Sequence, residues 1–156
     1  MQFNRINIFN AIIVVLMLIP NIVFALKSKE KQINKAGKAV TVIEQIGRYG
    51  CMVLMVLPLF VWEFGFSPLE FMFVYIVSNS VLLIMYYIFW ALYFKNKTTG
   101  KALALAIIPT LIFIVSAVSV MHWALLIMAL IFAFSHIYIT YINGKTKAGM
   151  DMIDYD

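Results

Sequence analysis

An all-α integral membrane protein of five transmembrane helices, with its N-terminus outside and its C-terminus cytoplasmic, is the fold this 156-residue sequence predicts. Three observations predict it: the composition, the spacing of the apolar runs, and the one-sided placement of the basic residues. Hydrophobic residues make up 64% of the chain and charged residues 12%, with a mean hydropathy of +0.96. Soluble domains are about half apolar and a quarter charged. A soluble fold of this size would have to hide that excess while burying only about 70% of its unfolded surface. A bilayer removes the limit by serving as the apolar phase.

A spanning helix needs about 20 apolar residues to cross roughly 30 Å of hydrocarbon. The first run covers residues 6–26. It reads as a retained helix and not a signal peptide, because only Arg5 precedes it, "VFALK" is no A-x-A site and the lysines follow it. The second helix is expected at 47–64 and the third at 68–94. Between them, Gly65 suits a helix end, and Ser67, Pro68 and Glu70 form a capping box at the next start. Residues 102–142 carry no charge over 41 positions. As one helix they would reach about 60 Å, twice the hydrocarbon thickness. They must fold back, and "SVMHW" at 119–123 is the most polar point near the middle, so helices are expected at 102–119 and 123–142. Asn143-Gly144 reads as the final cap.

Basic residues set the orientation. The 27–46 loop holds Lys27, Lys29, Lys31, Lys35 and Lys38, with Arg48 at its far edge; the 95–101 stretch holds three lysines, and the tail at 143–156 holds two. Five spans place these 11 of 12 basic residues on one side, leaving Arg5 opposite. A short interfacial helix is expected at 39–46, and the end of the acidic tail reads as disordered. Trp62, Phe66 and Trp123 mark one interface, and Tyr49, Trp90, Tyr93 and Tyr141 the other. The location is a cell membrane, multi-pass. The net charge of +5 reports this topology, so nucleic acid is not an expected partner. The expected partners are membrane lipids, a small-molecule ligand, and a second copy of the chain or another membrane protein.

Polar groups at membrane depth are the candidates for function. Glu44 and Arg48, four apart, face each other on a helix and can pair. The plain reading is an interfacial anchor, with Arg48 a turn inside and reaching back to the lipid phosphates. The functional reading makes Arg48 a fixed charge at the mouth of an inward-facing cavity. Gly47 and Gly50 serve either close packing or a flexible mouth. His136 is either a proton carrier or an imidazole bonded to a serine or asparagine on a neighbouring helix. His122 is expected at the outer surface, solvated. Asn21 follows the helix-breaking Pro20, and Asn79 sits between two serines.

Asn21, Arg48, Asn79 and His136 are all read as lying between the midplane and the cytoplasmic interface. A cytoplasm-open pocket would need that placement, and helix packing could also produce it. The single Cys51 excludes an internal disulfide and a cysteine metal cluster. The two histidines, 14 residues apart, are too distant to share a metal within one chain. No cofactor, metal or catalytic set is expected, and an enzyme using His136 lacks a second catalytic group. Three functions follow in order: binding or transport of a small amphipathic or anionic molecule through Asn21, Arg48, Asn79, His136 and Glu44; a non-catalytic accessory subunit of a membrane complex; and an intramembrane enzyme.

Overall fold

The computed structural model describes residues 8–27, 36–57, 59 and 69–153, with side chains described except at 69–71 and 147–153. Within them are five helices: α1 (Ile8–Lys27), α2 (Lys38–Val56), α3 (Leu69–Lys95), α4 (Thr99–Ser119) and α5 (Trp123–Ile153). All five are long and apolar enough to cross a membrane, as in a multi-pass membrane protein. The Gly65 terminator, the Ser67–Pro68–Glu70 box, Trp62 and Phe66 lie outside the described residues or side chains.

α2 begins far earlier than residue 47. Gly37, at φ +89°, turns the chain, and Thr41 returns both its backbone N–H and its hydroxyl to the Gly37 carbonyl. The segment at 39–46, expected as a separate interfacial helix, is therefore the first half of the second span. α2 also ends early, at Val56 and not at 64. Leu57 is extended (φ −105°, ψ 120°), as the residue before Pro58 should be, because proline's ring disfavours the helical conformation there. α5 overruns its expected end: it passes through Asn143-Gly144 and covers most of the tail. Gly144 serves packing instead of capping, with Thr99 of α4 lying directly against it.

The α4–α5 turn falls where the sequence put it. His122 N–H bonds the Ala117 carbonyl at 2.8 Å and Met121 N–H bonds that of Val118 at 3.1 Å, with Met121 left-handed at φ 53°. This is a Schellman closure built without glycine. His122 then caps α5, its Nδ1 accepting the Leu125 N–H at 3.1 Å. It is 1% exposed, so the expectation of a solvated histidine fails. A ring that caps a helix this closely after a tight turn is tucked under it.

α4 is the central helix, packed between α3 and α5, while α5 also runs along α2 and α1 lies on α2 and α3. Ile112, Phe113 and Ala117 of α4 meet Cys51 and Met55 of α2, Tyr86 of α3, and Leu125 and Ala129 of α5 in one core. Leu26, Trp123 and Phe134 expose most of their surface, as lipid-facing residues do. Lys27, Lys38, Lys95, Lys97, Lys101 and Lys145 collect at one end of the bundle. There Lys27 lies 5.7 Å from the Phe94 ring and Lys97 5.8 Å from that of Phe24, tying the ends of α1 and α3. Lys101 donates to the Leu92 carbonyl in the last turn of α3 and to that of Asn96 just beyond it.

Candidate functional site

The pair expected from the i,i+4 spacing of Glu44 and Arg48 forms. Side chains lean toward a helix's N-terminus, so Arg48 reaches back along α2 to Glu44 and to the basic end. The Glu44 side chain is only 4% exposed, and a lone carboxylate so placed would be costly. Three neighbours offset that cost. Arg48 and His136 Nδ1 (3.0 Å) share Oε1, and Gln45 donates to Oε2 at 3.0 Å.

His136 comes from α5, and its partner is a carboxylate, not the serine or asparagine considered from the sequence. Phe132, one turn earlier, stacks on its ring with centroids 4.8 Å apart, and the Arg48 guanidinium lies 5.9 Å from the same Phe132 ring. The carboxylate fixes the imidazole hydrogen on Nδ1, leaving Nε2 with no hydrogen bond among the described residues. Glu44 is sealed, whereas His136 is 21% and Arg48 34% exposed. The acid therefore stands behind two nitrogen groups that remain accessible.

Glycine makes the cluster possible. A Cβ on Gly47 would stand 3.0 Å from the Phe132 backbone, and one on Gly50 3.2 Å from Met128 Sδ. Both glycines thus serve close packing of α2 on α5, which brings Glu44 within reach of His136. Depth follows from helix rise. Glu44 is six residues from Lys38, about 9 Å along the axis, and His136 nine residues from Lys145, about 13 Å. Because α2 starts at Lys38, Arg48 lies about 15 Å along the axis from the helix start, where the expected start at 47 put it in the first turn. Tyr49, placed by sequence at the interface, lies one residue further along α2 and is 62% exposed.

Asn21 sits at a comparable depth on α1. Its amide donates to the Met17 carbonyl (2.9 Å) and to the Tyr86 hydroxyl of α3 (2.8 Å). Tyr86 in turn belongs to the same core cluster as Cys51 of α2, three residues beyond Arg48. Pro20 lacks the N–H that would bond Leu16, and the Tyr87 hydroxyl donates to that freed carbonyl at 2.7 Å.

Asn79 belongs elsewhere. It is ten residues from the start of α3 and sixteen from Lys95, in the half of the bundle away from the basic end. There its amide N–H donates to the Tyr75 carbonyl and its carbonyl oxygen accepts from Ser116 of α4. Tyr75 donates to Asn10 of α1, which donates to the Met55 carbonyl of α2 at 2.8 Å. This network joins four helices, and its four side chains are buried.

The structure thus gathers Glu44, Arg48 and His136, places Asn21 nearby through Tyr86, and separates Asn79. Sequence reading missed Tyr86, Gln45 and Phe132. The one available signal for Tyr86 was a tyrosine inside a span, away from the aromatic belts. Among the described residues no three histidine, cysteine or acidic side chains gather as a metal site. Searches against known protein families, curated proteins and solved structures give no match.

Proposed function

We propose that this protein binds a small amphipathic or anionic molecule at Arg48 and His136, reached from the basic end of the bundle. The observation that carries the reading is the division of the cluster into a sealed acid and two accessible nitrogen groups. Glu44 holds both in place, and each keeps hydrogen-bonding capacity that no described residue uses. Guanidinium suits an oxyanion because its N–H groups are planar and permanently charged. Asn21 and Tyr86 form the α1–α3 side of the same level. The lysine distribution orients the protein with its N-terminus outside and its C-terminus cytoplasmic, so the ligand enters from the cytoplasm.

A second reading, an accessory subunit of a membrane complex, draws on the buried Asn10–Tyr75–Asn79–Ser116 network, whose polar groups serve packing. An intramembrane enzyme gains an orienting carboxylate for His136 but, among the described residues, no nucleophile bonded to Nε2. Thiol accessibility tests the first reading. In a Cys51→Ala background, single cysteines at Arg48 and His136 are expected to react with an impermeant reagent from the cytoplasmic side only. A cysteine at Asn79 is expected to stay unlabelled. No labelling at Arg48 or His136 from either side would sink the binding reading and favour the subunit.

A further inference from the structure

The cluster balances its charge in only one protonation state of His136. Glu44 and Arg48 cancel, so it is neutral with a neutral imidazole and carries one positive charge with a protonated one. Nδ1 keeps its hydrogen toward Glu44 in both states. The second proton therefore enters only at Nε2, the nitrogen that no described residue bonds. A neutral Nε2 turns a lone pair toward an approaching oxyanion and repels it. A protonated Nε2 donates to it.

Among the described residues no other charge near the ring competes. From α2, the groups facing it are Glu44 and Arg48. The only ionisable side chain of α4, Lys101, is held by the α3 carbonyls at the basic end. On α5 itself, Tyr138 and Tyr141 are uncharged phenols and Lys145 is nine residues away.

We infer that the site takes its anion together with one proton, and that the ligand is a soluble carboxylic acid. The inference rests on the proposed reading that Arg48 and His136 face the ligand. The carboxylate lies between the Arg48 guanidinium and the His136 Nε2–H, and the proton that the acid loses is held on Nε2. One O–H bond breaks and one N–H bond forms, with no redox change. The charges of Glu44, Arg48, protonated His136 and a monoanion then sum to zero, which a low-dielectric site favours. A phosphate dianion would leave one negative charge uncompensated.

Calorimetric titration of octanoate into the full chain, held in phosphatidylcholine nanodiscs, tests this. Two buffers of different ionisation enthalpy are expected to give heats differing by about one proton taken up per octanoate. Because a proton is taken up with the anion, affinity is expected to fall as pH rises. His136→Asn keeps an N–H toward Glu44 and is expected to bind octanoate through Arg48 with no proton uptake and a flat pH profile. The comparison of buffers on the unaltered protein stands even if that variant does not fold. Octanoate binding without proton uptake overturns the inference and leaves the anion site intact. No binding between about pH 6 and 8 overturns both. Including about 5% phosphatidylglycerol, too little to build much surface potential, is expected to leave affinity within about twofold. A larger loss assigns the site to a lipid headgroup and overturns the assignment to a soluble acid.

Discussion

Replacing Gly47 with alanine probes the contact on which the candidate site depends. The new Cβ would meet Phe132 N, Cα and Cβ at 3.0 Å, all atoms fixed to the α5 backbone. Ordinary contact begins near 3.5 Å, so α2 and α5 must part by about 0.5 Å. The 3.0 Å bond between Glu44 and His136 would then stretch to about 3.5 Å, beyond good hydrogen-bond geometry. Overpacking of this kind costs about 1–3 kcal/mol, and alanine's better helix propensity returns about 1 kcal/mol. With three backbone-anchored contacts and a strained ion pair, the expected net loss is about 1–2 kcal/mol. Gly50→Ala is the control. Its Cβ meets only the flexible thioether of Met128, which can swing aside, so that variant should be neutral or gain up to about 1 kcal/mol. Equilibrium unfolding of micelle-held protein by increasing mole fraction of sodium dodecyl sulfate, followed by tryptophan fluorescence, measures both. If Gly47→Ala proved as stable as Gly50→Ala, the argument that Gly47 sets the α2–α5 spacing would fail.

Three further outcomes follow from the same contacts. Tyr87→Phe leaves the Leu16 carbonyl unpaired and should cost about 1 kcal/mol in the same unfolding assay. The cost should shrink in a Pro20→Ala background, where a backbone N–H can take over; equal costs in both backgrounds would refute the link to Pro20. Glu44→Gln leaves a partly exposed Arg48 without its counter-charge and should cost about 1–2 kcal/mol, less than a fully buried pair would. The double variant Glu44→Gln/Arg48→Gln should recover part of the loss, and no recovery would show that hydrogen bonding, not charge, dominates. Burial in the α4–α5 turn pushes the His122 pKa below its ordinary 6.5. Its contribution to stability is therefore full above about pH 6.5 and lost as pH falls from there toward the folded value. His122→Asn, which retains a capping acceptor, should flatten that part of the unfolding profile.

What the sequence discloses here is mostly local. The number of spans, the fold-back at 119–123 and the Glu44–Arg48 pair each depend on neighbours within a turn or two. The end of α2 was legible as well, because Pro58 forbids a regular helix through Leu57, but the apolar run masked it. The early start of α2 is harder, since Gly47 looks like a break until Phe132 is seen lying against it. The partnership of His136 with Glu44 joins residues 92 apart, and no periodicity reports it. The side of the midplane on which Asn79 falls was legible too: a span of 68–94 has its midpoint at 81, so Asn79 belongs to the half away from Lys95, as it does in α3. Asn143-Gly144 has the composition of a cap, yet helix-on-helix contact gives a glycine there a different use.

The tyrosines that meet α1 do more than satisfy polar atoms. Lipid and protein side chains are equally oily, so greasy contact alone hardly distinguishes one sliding position of a helix from the next. Hydrogen bonds do. Asn10 meets Met55 and Tyr75 near one end of α1, Leu16 meets Tyr87 midway, and Asn21 meets Tyr86 beyond the proline. A slip of one turn, about 5.4 Å, would break all of them together. The first helix is thus keyed in its slot like the notches of a ratchet, with one seated position.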